Sequence, residues 1–348
     1  MNSSTLKIKP PTDSAGSEDL PFSQFLRILG KGPKTRRSLT VEEARQAVRM
    51  ILDGQVTDRQ LGAFLLLMRA NGESPEELVG FLQELRSDFL QQAPEVQIDL
   101  DWSAYAGKWR YPPYFLLAVK LLVEGGYKVL LHGDSGQFNQ RTYAADLLQP
   151  LGFSQAKSLT DASLLVQNNK PTYLPLETFA PQLREILHLK QELGVRTVFN
   201  TLVKLFNPLN APAAVQGIFH PGVEHLHHAG ASTCCTPCNL VFKGEGGEAE
   251  IRPDALAKLY FSVPGQELFE LKVPSLIERQ ERPKSWQQQD LIDLWCGQKA
   301  DAYGEAAVLG SVAAALMSIH LSRGGEQSET LFDDCYAEAK SLWTQRSC

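Results

Sequence analysis

From about residue 21 to residue 90, apolar residues recur at helix spacing. Phe22, Phe25, Leu26 and Leu29 share one face, and Gly30 and Gly32 end that helix. Thr40 followed by Glu43 makes a capping box for a second helix, which Asp53-Gly54 closes. Thr57 opens a third with Leu61, Phe64, Leu65 and Met68 on one side, ended by Gly72, and Ser74-Pro75-Glu76-Glu77 opens a fourth through Leu85. These signals predict a small helical domain over residues 20–92. After Pro94 the pattern becomes short apolar strands alternating with helices: strand 97–100, helix 113–124, strand 128–131 and helix 141–151. A helical stretch at 180–205, broken at Gly194, is expected to complete the helical domain. A strand at 239–243 and an alanine-rich helix at 301–321 follow. The alternation predicts an α/β fold, with a larger, mostly parallel sheet domain flanked by helices spanning 93–179 and 211–348.

Composition adds limits. The 348 residues are 43% apolar and 21% charged, enough for a substantial core. Residues 1–19 are polar, read as a mobile arm, and hold no apolar signal core; no run of about 18 apolar residues occurs. A cytoplasmic protein without a membrane partner is expected, its six cysteines reduced. The net charge of -6 argues against a wholly basic nucleic-acid binder, yet residues 21–60 carry eight bases against four acids and residues 245–348 carry 17 acids against 10 bases. Phe22, Phe25, Leu26, Leu29, Ala63 and Leu66 exceed what a four-helix unit needs internally and predict a face for a two-fold partner, unless they pack on the sheet domain.

Several segments resemble the anthranilate phosphoribosyltransferase family over about residues 20–345. Met50-Ile51-Leu52-Asp53-Gly54 through Leu65 and Arg69-Ala70-Asn71-Gly72 through Leu78 are similar to its N-terminal helices. Leu193-Gly194-Val195-Arg196-Thr197-Val198-Phe199-Asn200, with Asn207-Pro208, is similar to its central motif. The resemblance implies the fold class of nucleoside phosphorylases and anthranilate phosphoribosyltransferases, an active site in the interdomain cleft, and a homodimer through the helical domain.

The donor site that the resemblance calls for is degraded. A Gly-Thr-Gly-Gly-Asp turn is expected where the chain reads Asp101-Trp102-Ser103-Ala104-Tyr105-Ala106-Gly107-Lys108, and Tyr111-Pro112-Pro113-Tyr114 replaces a polar phosphate segment. Leu131-His132-Gly133-Asp134-Ser135-Gly136 keeps part of a third motif. The carboxylate-binding arginine falls at Lys190 or Gln191, and the metal pair at Ala249-Glu250, with Glu245 or Glu248 able to compensate. Gly107, His132, Gly133, Asp134 and Glu250 are thus read as remnants of a donor site. No cofactor is expected; Mg²⁺ would be needed only if transfer survives.

Tyr105-x-Gly107, His132-Gly133 and Lys243-Gly244-x-Gly246-Gly247-Glu248 resemble the non-biosynthetic YbiB-type branch, which implies a homodimeric DNA- and RNA-binding protein. Phosphate contacts are then expected from Lys31, Lys34, Arg36, Arg37, Lys108, Arg110, Lys128, Arg141, Lys190, Arg196, Lys204 and Lys243, with Tyr105, Trp109 and Tyr111 as candidate stacking residues. The alternative is a glycosyl or phosphoribosyl transferase with an altered donor site and another acceptor. His220, His225, His227 and His228 precede Cys234, Cys235 and Cys238. Cys235 and Cys238 are a weak zinc candidate; reduced cysteines and a short helix at 223–229 turning histidines to solvent explain the cluster without an ion.

Overall fold

The structure, a computed structural model, describes residues 20–91 and 93–348. The arm expected at 1–19 lies outside the described residues.

Four helices open the fold: α1 Ser23–Leu29, α2 Val41–Leu52, α3 Asp58–Asn71 and α4 Pro75–Leu90. The three side-chain caps form as read, with reciprocal bonds in Thr40/Glu43, Thr57/Gln60 and Ser74/Glu77. α4 runs past Leu85 because Phe89 still faces the core, against Phe179 and Phe206. Residues 181–205 pack with these helices, Phe199 stacking on Phe81 at 6.4 Å. Phe22, Phe25 and Leu29 are buried inside the chain's own core, which corrects their assignment to an outward face. Ala63 and Leu66 stay exposed, as does Leu20 at the start of the described residues.

Among the described residues eight strands form one sheet: β1 Leu100–Ala104, β2 Val129–Gly133, β3 Ser154–Gln155, β4 Thr172–Pro175, β5 Ala213–Ile218, β6 Cys238–Lys243, β7 Ala257–Ser262 and β8 Phe269–Val273. Their order is β3-β4-β2-β1-β5-β6-β7-β8, parallel through β6 and antiparallel at the β7 and β8 edge. β1 starts three residues later than expected and runs through the polar Asp101 and Ser103, both buried, Asp101 Oδ2 meeting His132 and Ser103 donating to the Val215 carbonyl. The helix expected at 141–151 is only a turn, Ala144–Leu147. Thr142 instead pairs in extended form with Lys108, each N–H meeting the other's carbonyl at 2.7 and 2.8 Å.

Helix Ala302–Ser322, capped by Asp301, is long and apolar enough to span a bilayer, but 89% of its apolar window is buried inside the fold. It lies against β5, β6, helix Phe115–Glu124 and helix Leu331–Gln345. The expectation of six reduced cysteines is corrected at two positions: helix Leu331–Gln345 brings the C-terminus back to helix Gln288–Trp295, and a disulfide joins Cys296 to Cys348. Parallel register aligns Ala104 with Gly133 and Ile218 with Lys243, so one edge collects the carboxyl ends of β1, β2, β5 and β6. Such an edge is where open α/β sheets place ligands.

Candidate functional site: a self-filled anion loop beside a cation cluster

β1 leaves the sheet at Ala104, and residues 105–108 turn back over its end. Gly107 takes φ 69°, and a Cβ there would lie 3.0 Å from Arg141 and Tyr143, so glycine is required on both counts. The amides of Ala106 and Gly107 point at one atom, Glu248 Oε1, at 2.8 and 2.5 Å. Glu248 is 2% exposed. Burial pushes its pKa up, opposed by the two amides, Lys204 and Lys108. A loop of this kind attracts anions through converging N–H groups. Here the chain supplies the anion itself.

Lys108, expected among the phosphate-contacting cations, is fully buried and ion-paired with Glu250. The second Glu250 oxygen accepts from Phe115 N at 2.9 Å, and burial raises this carboxyl to about 7. Both carboxylates that could have held a metal at residues 248–250 are therefore committed to protein donors, and Ala249 offers none. The residues do not fit a magnesium diphosphate.

The other remnants are also internal. His132 is buried, donating from Nε2 to Asp101 at 3.1 Å and accepting the Tyr105 hydroxyl at Nδ1, 2.8 Å away. Gly133 sits against the Ala104 carbonyl, where a side chain could not fit. Asp134 is buried and accepts from Arg184 Nε at 2.9 Å, His188 Nε2 at 2.8 Å and Gln137 Nε2 at 3.2 Å.

Cations crowd the mouth of this loop. Phe138, which sequence reading missed, has Lys190 Nζ 3.7 Å, Arg141 4.4 Å and Arg196 5.3 Å from its ring centre. Burial first, then the neighbouring cations, lower the pKa of Lys190 and of Arg141; Arg196 is lowered by burial and by Arg69. Arg141 also donates to the Ala106 carbonyl at 2.5 Å and lies over Trp109 at 4.0 Å. Lys204 bonds the carbonyls of Gly217 and Gly247, and burial brings it down to about 8.

The remaining expected cations divide. Arg110 and Lys243 are exposed at the same edge, without an ion pair among the described residues. Lys31 and Lys34 are exposed, Arg36 donates to Asn71 at 2.9 Å, and Arg37 is bound to Glu43 at 2.6 and 2.7 Å, holding that carboxyl down at about 2. Lys128 does not belong to the cleft: it precedes β2 at the opposite edge, five residues of strand or roughly 17 Å away. Tyr105 and Tyr111 are buried, which leaves only Trp109 of the three candidate stacking residues open to a ligand.

Two family models match this chain: the helical bundle domain of the glycosyl transferase family over residues 23–88, and its a/b domain over residues 119–270. The chain belongs to that glycosyl transferase family. It is an anthranilate phosphoribosyltransferase-like member, 27% identical over 217 residues to the anthranilate phosphoribosyltransferase of Metallosphaera sedula (62% of each chain) and 29% over 199 residues to that of Bacillus cereus (57% of each). The matches thus span about three fifths of those relatives' length. Among solved structures, anthranilate phosphoribosyltransferase from Thermus thermophilus superposes with a TM-score of 0.66 at 23% identity, covering 89% of this chain and 95% of that one. The Saccharomyces cerevisiae enzyme in complex with PRPP and Mg gives 0.73 at 16%, covering 94% of each. These likenesses share the fold.

In this glycosyl transferase family member the cysteine and histidine cluster does not converge. Cys238 is buried in β6 beside Ser318, while Cys235 is exposed after helix Glu224–Thr233. His225 is exposed, but His227, expected to face solvent, is buried and donates to Gln216 at 2.5 Å. Among the described residues no group of three or more His, Cys, Asp or Glu side chains could hold a metal ion.

Proposed function

We propose that this glycosyl transferase family protein does not transfer phosphoribosyl groups and instead binds DNA or RNA without sequence preference, as a cytoplasmic homodimer of the YbiB type. The observation that carries the first half is the Glu248 carboxylate on the Ala106 and Gly107 amides. A diphosphate would have to displace a buried, doubly bonded carboxylate and then meet Glu250 already spent on Lys108. Electrostatic complementarity to the donor is the largest source of catalysis available to such an enzyme, and it is spent internally.

The second half is supported by cations that, among the described residues, have no carboxylate partner. Arg141, Lys190 and Arg196 depress one another's pKa or are depressed by burial, so each would gain from a phosphate. The C-terminal end of α3 extends the positive track: Arg69 is near enough to Arg196 to lower its pKa, and Asn71, two residues on, holds Arg36 of the basic segment. Phosphate recognition by such a track needs no base readout.

The test pairs titration calorimetry with phosphoribosyl diphosphate and Mg²⁺ against a gel shift with single-stranded DNA. The expected result is no heat from the first and a shift in the second whose logarithm of affinity falls with the logarithm of salt by roughly 0.7 per phosphate contacted. Donor binding, or a DNA affinity indifferent to salt, would reject the proposal.

A further inference from the structure

Beside the filled loop lies a recess of about 400 Å³, with Trp109, Phe219 and Tyr260 among its walls and Leu256 at its edge. It borders the ends of β5 and β6, residues 244–246 and the start of β7. Trp109 and Phe219 stack at 5.9 Å with planes 25° apart, a short aromatic wall left half open. Leu256 is 58% exposed, an apolar side chain left in water next to that wall.

The charges around the recess are unevenly spent. Arg252 is engaged by Asp254 at 2.7 Å and Lys258 by Glu270 at 3.2 Å. Of the two acids in the lining, Glu224 accepts from Gly222 N at 2.7 Å, while Glu245 is hydrogen-bonded through its backbone alone among the described residues. Arg110, 5.0 Å over the Trp109 ring, and Lys243, at the tip of β6, have no ion pair among the described residues.

We propose that this recess seats one unpaired nucleotide of a bound strand. Its base would lie against Trp109 and its phosphate would meet Arg110 and Lys243. The inference rests on the nucleic-acid reading above and adds a strand preference to it. An aromatic face accepts the π-face of any base, so the seat gives no sequence preference. A volume of about 400 Å³ lies near the lower end of small-molecule sites, roughly 300 to 1,000 Å³, and admits one nucleotide but not a base pair. Glu245 offers an acceptor to an exocyclic amine without requiring one.

The experiment measures fluorescence anisotropy of a labelled 12-nucleotide single strand and a hairpin duplex at one salt concentration, with the full chain, Trp109→Ala and Trp109→Tyr. Removing one stacking partner is expected to weaken single-strand binding on the order of tenfold, to leave duplex binding within about twofold, and to be largely restored by tyrosine. Equal weakening of both substrates, or no change in either, overturns the seat while leaving phosphate-driven binding standing. Wild-type protein that binds neither substrate removes the nucleic-acid reading and the seat together. If Trp109→Ala does not fold, photo-crosslinking of a 5-bromouracil strand to wild-type protein decides: adducts on Trp109, Phe219 or Tyr260 support the seat, and adducts confined elsewhere overturn it. A free nucleoside monophosphate that binds at Trp109 as tightly as the strand does would reassign the seat to small nucleotides and overturn the strand assignment.

Discussion

Glu248 and Gly107 stand 141 residues apart in sequence, and the carboxylate of one accepts the backbone amide of the other at 2.5 Å. The same oxygen serves Ala106 N. Glu248→Ala should therefore strand two buried donors at once, costing about 1 to 3 kcal/mol for each. Glu248→Gln keeps an acceptor oxygen and should lose distinctly less. Urea denaturation of the two variants checks this ordering; equal losses would mean that the loop does not depend on the acceptor. Neither variant should complement a tryptophan auxotroph lacking anthranilate phosphoribosyltransferase, because Glu250 remains paired with Lys108.

Lys108 and Glu250 are each 0% exposed, so neither charge can be left alone. Lys108→Met should destabilise by about 3 to 5 kcal/mol by abandoning a buried carboxylate, and Lys108→Met with Glu250→Gln should recover part of that loss. Chemical denaturation of both single variants and the double variant measures the coupling. Strict additivity would show that the pair is not energetically coupled.

His227 brings a pH dependence with a definite sign. Burial first, and then Lys204, lower its pKa from 6.5 to about 3, so the native state keeps it neutral while the unfolded chain protonates it. Its contribution is whole above pH 6.5 and is lost as pH falls from there towards 3. At pH 5 the loss should be roughly 2 kcal/mol, from about 1.4 kcal/mol per unit. Denaturation midpoints at pH 7.5 and 5 should converge for His227→Asn relative to wild type, and parallel midpoints in the two proteins would refute the assignment.

Much of the fold was legible because its signals are local. Thr40 and Glu43, or Ser74 and Glu77, state a helix start within four residues, and each box forms. Residues 141–151 misled for the converse reason: their apolar spacing suits a helix, but Thr142 is claimed by a backbone partner at Lys108 that no local pattern announces. The site was legible as a loss and not as a replacement. That Gly107 and Glu250 stand alone could be read from the motif; that Lys108 is a buried counterion and Glu248 a resident anion depends on contacts 142 and 141 residues long. Lysine in a loop after a strand carries a strong expectation of exposure, and only the fold reverses it.

Assembly has its own test. With Phe22, Phe25 and Leu29 consumed internally, the exposed apolar surface of the helical part includes Leu66 at 43%, Leu20 at 56% and Ala63. Light scattering at micromolar concentration should give about twice the 38.6 kDa of one chain, and Leu66→Glu with Ala63→Glu should bring it back to one. A wild-type mass of a single chain would remove the dimer.

Asp134 hangs from the loop after β2, while Arg184 and His188, which grip it, belong to helix Pro181–His188. Enzymes that close over a substrate spend each cycle opening and shutting on the microsecond to millisecond scale. Any such swing here would pull a buried carboxylate off both basic partners. The latch ties the end of β2 to that helix and so resists such a swing. The strand binding proposed above asks for no such swing.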